Sequence, residues 1–405
     1  MIRATLVNYL FIFGLLVNLV IPIIRFQGKN LHPVYLFSAL LAIIWFYIFL
    51  TRTESVRVSS KIYYTASIMF VIFISFAFSI FFHNIDINVK YFFYEILIYA
   101  VTIPFFLLFG FVNIKENQIN KVILFAFAIF FVVAVLQWLG VDRAITLYAF
   151  ESHIEASRVG SRLVVTGTDP NIGSIIAAFF LMYFIASFFT NKSTFYLLLA
   201  FLALAIMFKT QGRTTIIGVG ITLFLYTLFI VKINIVYKVL ICILGAGFVV
   251  WFAQFFDLFY LIEGVTNLKT GSNNSVNVRL DNVNYALNNF LASPFFGWSS
   301  SLEHYGTVRN MDSEVALIMQ RYGSFGLLVI CVIIFKLISI GIRYRHKKLG
   351  VFILLMMSSL TFNMLTNVVF FGAQTVSIIT FLIFLTYFLE SNEDNYISPP
   401  TPFKP

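Results

Sequence analysis

VNVRLDNVNYALNNFLASPFFGWSSSLEHYGTVRNMDSEVALIMQRYGSFGLL, residues 276–328, decides the architecture of this 405-residue chain. Most of the stretch is polar, with arginines, acids, a histidine and an SPFFGW turn, and its end runs directly into an apolar segment. Similar apolar segments recur outward in both directions. The chain is 60% hydrophobic and 11% charged, with a mean hydropathy of +0.94, whereas soluble domains are about a quarter charged. That composition specifies a polytopic membrane protein. Charges in such a chain are costly unless they have a task, so the polar stretch is where chemistry is expected.

Apolar runs of roughly 20 residues suffice to cross about 30 Å of hydrocarbon. They fall near 4–24, 31–50, 62–82, 91–111, 122–141, 171–189, 194–208, 214–231, 236–256, 322–342, 350–370 and 372–389. The expected fold is therefore all-α, with about 12 transmembrane helices. The seventh run is short and the last two nearly fuse, so eleven or thirteen are also compatible. Strand-period alternation is absent, which argues against a barrel. The first run, after Arg3, is read as an anchor rather than a cleaved signal. Cys242 and Cys331 both fall inside spans and have neither disulfide nor metal spacing. The reading is one membrane domain, 1–389, followed by a short tail, 390–405, with no fixed structure.

The formal net charge is +10, but the basic residues gather at span ends, which excludes a nucleic-acid partner. Placing the N-terminus inside assigns Arg52, Lys61, Lys115, Lys192, Lys238 and the Arg343–Lys348 cluster to inner loops, in accord with the positive-inside rule. Both termini are then expected in the cytoplasm. The two longest connections, about 142–170 and 257–321, fall on the outer face and carry more than half of the acids. No internal repeat is visible, which disfavours an inverted-repeat transporter.

Leu280, Val283, Leu287 and Phe290/Leu291 recur at helical spacing, predicting an amphipathic helix that ends at Pro294, with Arg279, Asn282 and Asn289 toward a polar side. Met311, Val315, Ile318 and Tyr322 predict a second helix that enters the tenth span with Asp312 in its first turn. In TGTDPN (166–171), Asp169 is expected to cap the sixth span and Pro170 to open it.

Candidate site residues follow from charge and position. Arg158, Arg162, Arg213 and Arg279 lie on the expected outer face. Singly, such an arginine commonly snorkels to the interface; together they suit a polyanion, because guanidinium binds phosphate in bidentate fashion. A lipid with a diphosphate head presents its anion at that height. Asp312 is the candidate general base, its plain alternative being an N-cap, and His304 is the second candidate base. Glu95 must face protein or a polar cavity and is expected to give support; Asn363 and Asn367 either line that cavity or pair between helices. No metal-site or nucleotide-binding motif is present, and neither metal nor cofactor is expected.

Taken in order, these motifs resemble the O-antigen polymerase/ligase superfamily of bacterial polysaccharide assembly over about 162–328. RLVVTGTDPN (162–171) is similar to its Arg…Gly-Thr…Pro-Asn segment and KTQGRTT (209–215) to its Thr-x-Ser-Arg turn, with Gly212 where serine is commoner. Arg279 with ALNNFLASPFFGW resembles its Arg…Pro-x-x-Gly loop, and the segment ahead of RYGSFGLL its loop-closing helix. Asp312–Ser313 stands where ligases usually carry histidine, so the likeness is nearer to polymerases, although His304 keeps the ligase alternative open. The resemblance implies a multi-pass protein of the bacterial inner membrane with a periplasmic active face. It implies transfer of a growing glycan from undecaprenyl diphosphate to an incoming undecaprenyl-diphosphate-linked unit. Membrane lipids, a flippase and a chain-length regulator of the same pathway are the implied partners. A transporter is the alternative from another class.

Overall fold

The computed structural model describes residues 4–26, 29–51, 59–83, 89–149, 154, 162–232, 234–240, 243, 245, 247, 274–299 and 313–397. Among these the protein is helical except for a short hairpin, in which β1 (Ile24–Phe26) pairs antiparallel with β2 (Lys29–Leu31). The hairpin corrects the all-α expectation at one turn, between the first two spans.

The helices are α1 (Ala4–Leu16), α2 (Pro33–Thr51), α3 (Ile62–His83), α4 (Val89–Ala100), α5 (Ile103–Leu108), α6 (Glu116–Trp138), α7 (Asp142–Tyr148), α8 (Pro170–Asn191), α9 (Thr194–Thr210), α10 (Arg213–Phe229), α11 (Asn274–Ala292), α12 (Glu314–Arg343), α13 (Lys348–Asn363) and α14 (Ala373–Ile397). Seven stretches are long and apolar enough to cross a membrane, counting α4 and α5 as one; α1, α9, α10 and α13 belong to shorter apolar helices. The protein is a multi-pass helical membrane protein. The expected ninth span, 236–256, lies mostly outside the described residues.

Several boundaries differ from expectation. The fourth span breaks at Val101–Thr102, where Pro104 opens the next helix and the Thr102 hydroxyl donates to the Tyr99 carbonyl at 2.7 Å. Proline lacks the N–H that would continue the preceding ladder. The tenth span and the helix expected to run into it form one helix that begins at Glu314, and the eleventh stops at Asn363. In the tail, α14 continues to Ile397; the expectation of a structureless tail fails for 390–397, and 398–405 lie outside the described residues.

Helix α8 forms the centre: the run Phe179–Phe184 is buried, and its rings meet those of α6, α13 and α14 at centroid distances of 5–6 Å, as in Phe127–Phe180 (5.3 Å), Phe179–Phe352 (5.2 Å) and Phe179–Phe381 (5.8 Å). Helix α2, exposing Ile43, Tyr47 and Leu50, lies at the periphery. Apolar surface is expected there, because lipid rather than water is the solvent.

Candidate functional site

Helix termini converge at one end of the bundle, and their hydrogen bonds identify that end as a single polar assembly. Asp169 caps α8 as its sequence predicts, with its carboxylate accepting from the Asn171 and Ile172 N–H groups at 2.8 and 3.1 Å and Pro170 at the first helical position. Leu163 N donates to the Lys209 carbonyl at 3.0 Å, which joins this strand-like entrance to the end of α9.

Arg162 is half-buried in the same crevice. Its Nε donates to the Thr210 carbonyl at 3.4 Å, and its Nη2 reaches Asn171 Oδ1 at 3.4 Å and the Gln211 carbonyl at 3.5 Å. Two residues on from Gln211, Arg213 opens α10 and is exposed. The structure therefore brings Arg162 and the base of Arg213 to one turn. Arg162 opens a non-helical described segment; Arg158, and with it the expected pairing of the two, lies outside the described residues. Arg279 lies in α11, three residues before Asn282, but its side chain is outside the described part. Asp312 and His304 are also outside it.

Beside Arg213, two side chains tie α10 to the end of α13. Thr366 Oγ1 donates to Thr214 Oγ1 at 2.5 Å, and Thr215 Oγ1 donates to Asn363 Oδ1 at 2.6 Å. Asn367 Nδ2 adds a bond to Asn363 Oδ1 at 3.3 Å. Of the two roles open to Asn363 and Asn367, pairing between helices is realised through Asn363.

Helix α12 starts against the same place. Ser313 caps it, accepting from Ala316 N at 3.4 Å, so the helical first turn begins at Glu314 and not at Asp312. Serine is a strong N-cap because its hydroxyl satisfies an otherwise orphaned N–H. Glu314 N donates to the Met364 carbonyl at 3.0 Å. The Glu314 carboxylate, 0% exposed, accepts from Phe370 N at 2.5 Å and Phe371 N at 2.9 Å. Tyr99 holds the same peptide from the other side, its hydroxyl donating to the Phe370 carbonyl at 2.6 Å. A second buried carboxylate, Glu95, accepts from Arg321 and, at 2.7 Å, from the Tyr322 hydroxyl, whose ring stacks on Phe371 at 5.0 Å. Glu95 thus has the supporting role expected of it. Sequence reading offered Glu314 only as a weaker candidate base than Asp312 and His304; its burial depends on the 364–372 connection folding back, which no local pattern announces.

The SPFFGW turn is built into α12. Gly323 has φ 60° and ψ −157°, which breaks the helical ladder. Four main-chain groups orphaned by the break find partners in the turn. Trp298 N and Ser299 N donate to the Gln320 and Arg321 carbonyls, both at 2.9 Å, while Ser324 N and Phe325 N donate to the Pro294 and Phe295 carbonyls at 2.8 and 3.1 Å. Gly297 (φ 66°) faces the Arg321 peptide, and a Cβ on Gly323 would stand 2.5 Å from the Phe295 carbonyl oxygen. His83, the last residue of α3, stacks on Trp298 at 4.3 Å and shares a 3.0 Å hydrogen bond with Ser293. His83 also escaped sequence reading, since its partners are more than 200 residues away.

The opposite end differs in charge. There Lys61 pairs with Glu390 at 2.5 Å, Lys348 with Glu116 at 3.0 Å, and Arg343 with Glu393 at 3.2 Å.

Residues 195–330 match the Wzy_C family model, described as O-antigen ligase. That stretch, about a third of the chain, is similar to a Wzy_C domain. Among curated proteins, none matches the chain. The Wzy_C match runs from α9 into α12 and therefore includes Arg213, Arg279, His304, Asp312 and the interleaved turn, whereas Arg158 and Arg162 precede it. Wzy_C domains are those of glycan polymerases and ligases, enzymes that transfer lipid-linked glycans.

Proposed function

We propose that this Wzy_C protein is a repeat-unit polymerase of a bacterial surface polysaccharide, and that it works on the non-cytoplasmic face of the inner membrane. The observation that carries the reading is the convergence of Arg162 with the Arg213 turn, beside the start of α12. A lipid-linked diphosphate entering from the bilayer would meet cationic groups at that height. The orientation is supported by the cluster Arg343–Lys348 at the other bundle end, which suits the cytoplasmic side.

In this reading Arg158, Arg162, Arg213 and Arg279 bind the diphosphate of the carrier-linked glycan. A base deprotonates the acceptor hydroxyl as its oxygen bonds to the anomeric carbon. The bond from that carbon to the phosphate oxygen breaks, and undecaprenyl diphosphate leaves with the electron pair. Guanidinium groups in a water-poor site hold the developing charge. Asp312 is the proposed base and His304 the second candidate. The leaving group is already activated, so the reaction is proposed to need no metal and no cofactor. Asp312–Ser313 in place of histidine favours polymerisation over ligation, and His304, eight residues earlier, is what keeps ligation as the second reading.

Purified protein in vesicles with carrier-linked repeat units should produce a ladder of longer glycans. Arg213→Ala should slow extension about 10- to 100-fold, corresponding to about 1.5–3 kcal/mol for a charged hydrogen bond, and Arg213→Lys should recover little of it. Transfer to a lipid or protein acceptor without lengthening would establish ligation instead. No transfer in either assay would end both readings.

A further inference from the structure

Helix α11 presents three distinct faces. Asn282, Ala286 and Asn289 point inward, each 9% exposed or less, whereas Val283, Leu287 and Leu291 are 41–67% exposed. Asp281, Asn284 and Asn288 form a second exposed sector alongside that apolar one. Successive residues are about 100° apart on a helix, so the two exposed sectors lie side by side, one apolar and one polar. In water this arrangement is unfavourable: two asparagines are buried while three large aliphatic side chains are left out.

We infer that α11 lies along the membrane boundary, with Val283, Leu287 and Leu291 in bilayer hydrocarbon and Asp281, Asn284 and Asn288 in the headgroup layer. The apolar sector is continuous with surfaces that belong to spans. Phe295, exposed, follows it directly, and the adjacent Phe296 ring contacts Phe78 of α3 at 4.9 Å. Phe81 and Phe82 beside it are among the most exposed aromatics of the protein. On the other flank α12 exposes Leu328, Val332 and Phe335. One apolar belt thus runs from α3 across the turn and α11 to α12, and lipid is the occupant that the two spanning members of the belt already require. A helix with apolar and polar sides and little net hydrophobicity is the type that settles in the interface plane. Helix α11 then does not stand off the membrane. Its inward asparagine face, with Arg279 one turn up from it in the helical register, looks into the protein from the lipid edge.

The test is depth measurement on the full-length protein in vesicles of phosphatidylethanolamine and phosphatidylglycerol (3:1), with Cys242 and Cys331 replaced by serine. Nitroxides on Leu287→Cys and Leu291→Cys should be relaxed more strongly by oxygen than by a water-soluble nickel chelate, and those on Asn284→Cys and Asn288→Cys the reverse. Equal nickel access at Leu287 and Asn288 would place α11 in water and overturn the inference. Exclusion of both relaxants at Leu287 would mean that a second copy or a protein partner covers the stripe, and would overturn it too. Should the variants fail to fold, the unaltered protein can be cross-linked with a phospholipid carrying a diazirine in its acyl chain. Adducts on 283, 287 or 291 support the inference; labelling of Phe81 and Phe82 with none on α11 refutes it. Neither measurement depends on polymerase activity.

Discussion

Glu314 shows how a single buried acid can set the geometry of a site. Its carboxylate gathers two adjacent N–H groups from the 364–372 connection, and its own N–H holds Met364. The connection in turn carries Thr366 and Asn367 toward the residues that follow Arg213. A buried N–H left without an acceptor costs about 1–3 kcal/mol, so Glu314→Ala, which strands two, should lower thermal stability in detergent clearly more than Glu314→Gln, which keeps one carbonyl oxygen. Equal melting temperatures would remove Glu314 from this role. Residue-level reading of the sequence placed Asp169 as a cap from its turn motif, and singled out Glu95, Asn363 and Asn367 because each is a polar group in an apolar setting. It ranked Glu314 only as a weaker candidate base, because its partners Phe370 and Phe371 lie more than 50 residues away. His83 was missed for a different reason: its contacts are with Trp298 and Ser293, which only folding brings near.

At the scale of elements, the break in α12 and the SPFFGW turn are one object. Gly323 interrupts the helix and Gly297 lets the turn approach, and neither position accepts a side chain without displacing main-chain atoms of the other segment. Gly323→Ala should therefore cost at least about 1–3 kcal/mol for a backbone conformation essentially reserved for glycine, and more because of the carbonyl it meets. The expected result is reduced folded yield and faster proteolysis between 294 and 325, read against Gly220→Ala, where a Cβ has open space. Comparable behaviour of the two variants would show that the interleaving is dispensable. The periodicity of 280–291 and the proline at 294 made α11 legible as a helix with two faces. Which face turns inward was not legible, because the same pattern serves a helix packed in water and one lying against lipid. The start of α12 was legible to within a turn from Met311, Val315, Ile318 and Tyr322, although hydropathy alone registers the span only near 322, because Glu314, Gln320 and Arg321 make its first turns polar.

Across the whole molecule, the bundle has a polar end built from helix termini and a basic end stapled by Lys61, Arg343 and Lys348. Most spans were visible as apolar runs, since their length is fixed by the bilayer. The interruptions at Val101–Thr102 and after Asn363 were not, because hydropathy continues unchanged across both. The two ends give a topological prediction: cysteines placed at Asn288 and at Arg345 should react with an impermeant maleimide from opposite sides, Asn288 in intact spheroplasts and Arg345 only after permeabilisation. Labelling of both from the same side would overturn the orientation, and with it the meeting of site and flipped substrate. The seam between α12 and the turn also has a mechanical consequence. Its four main-chain bonds act as a rivet, since unzipping them would uncover polar backbone beside lipid. The upper part of α12 is bound to travel with α11, and any yielding of the bundle has to occur along some other joint.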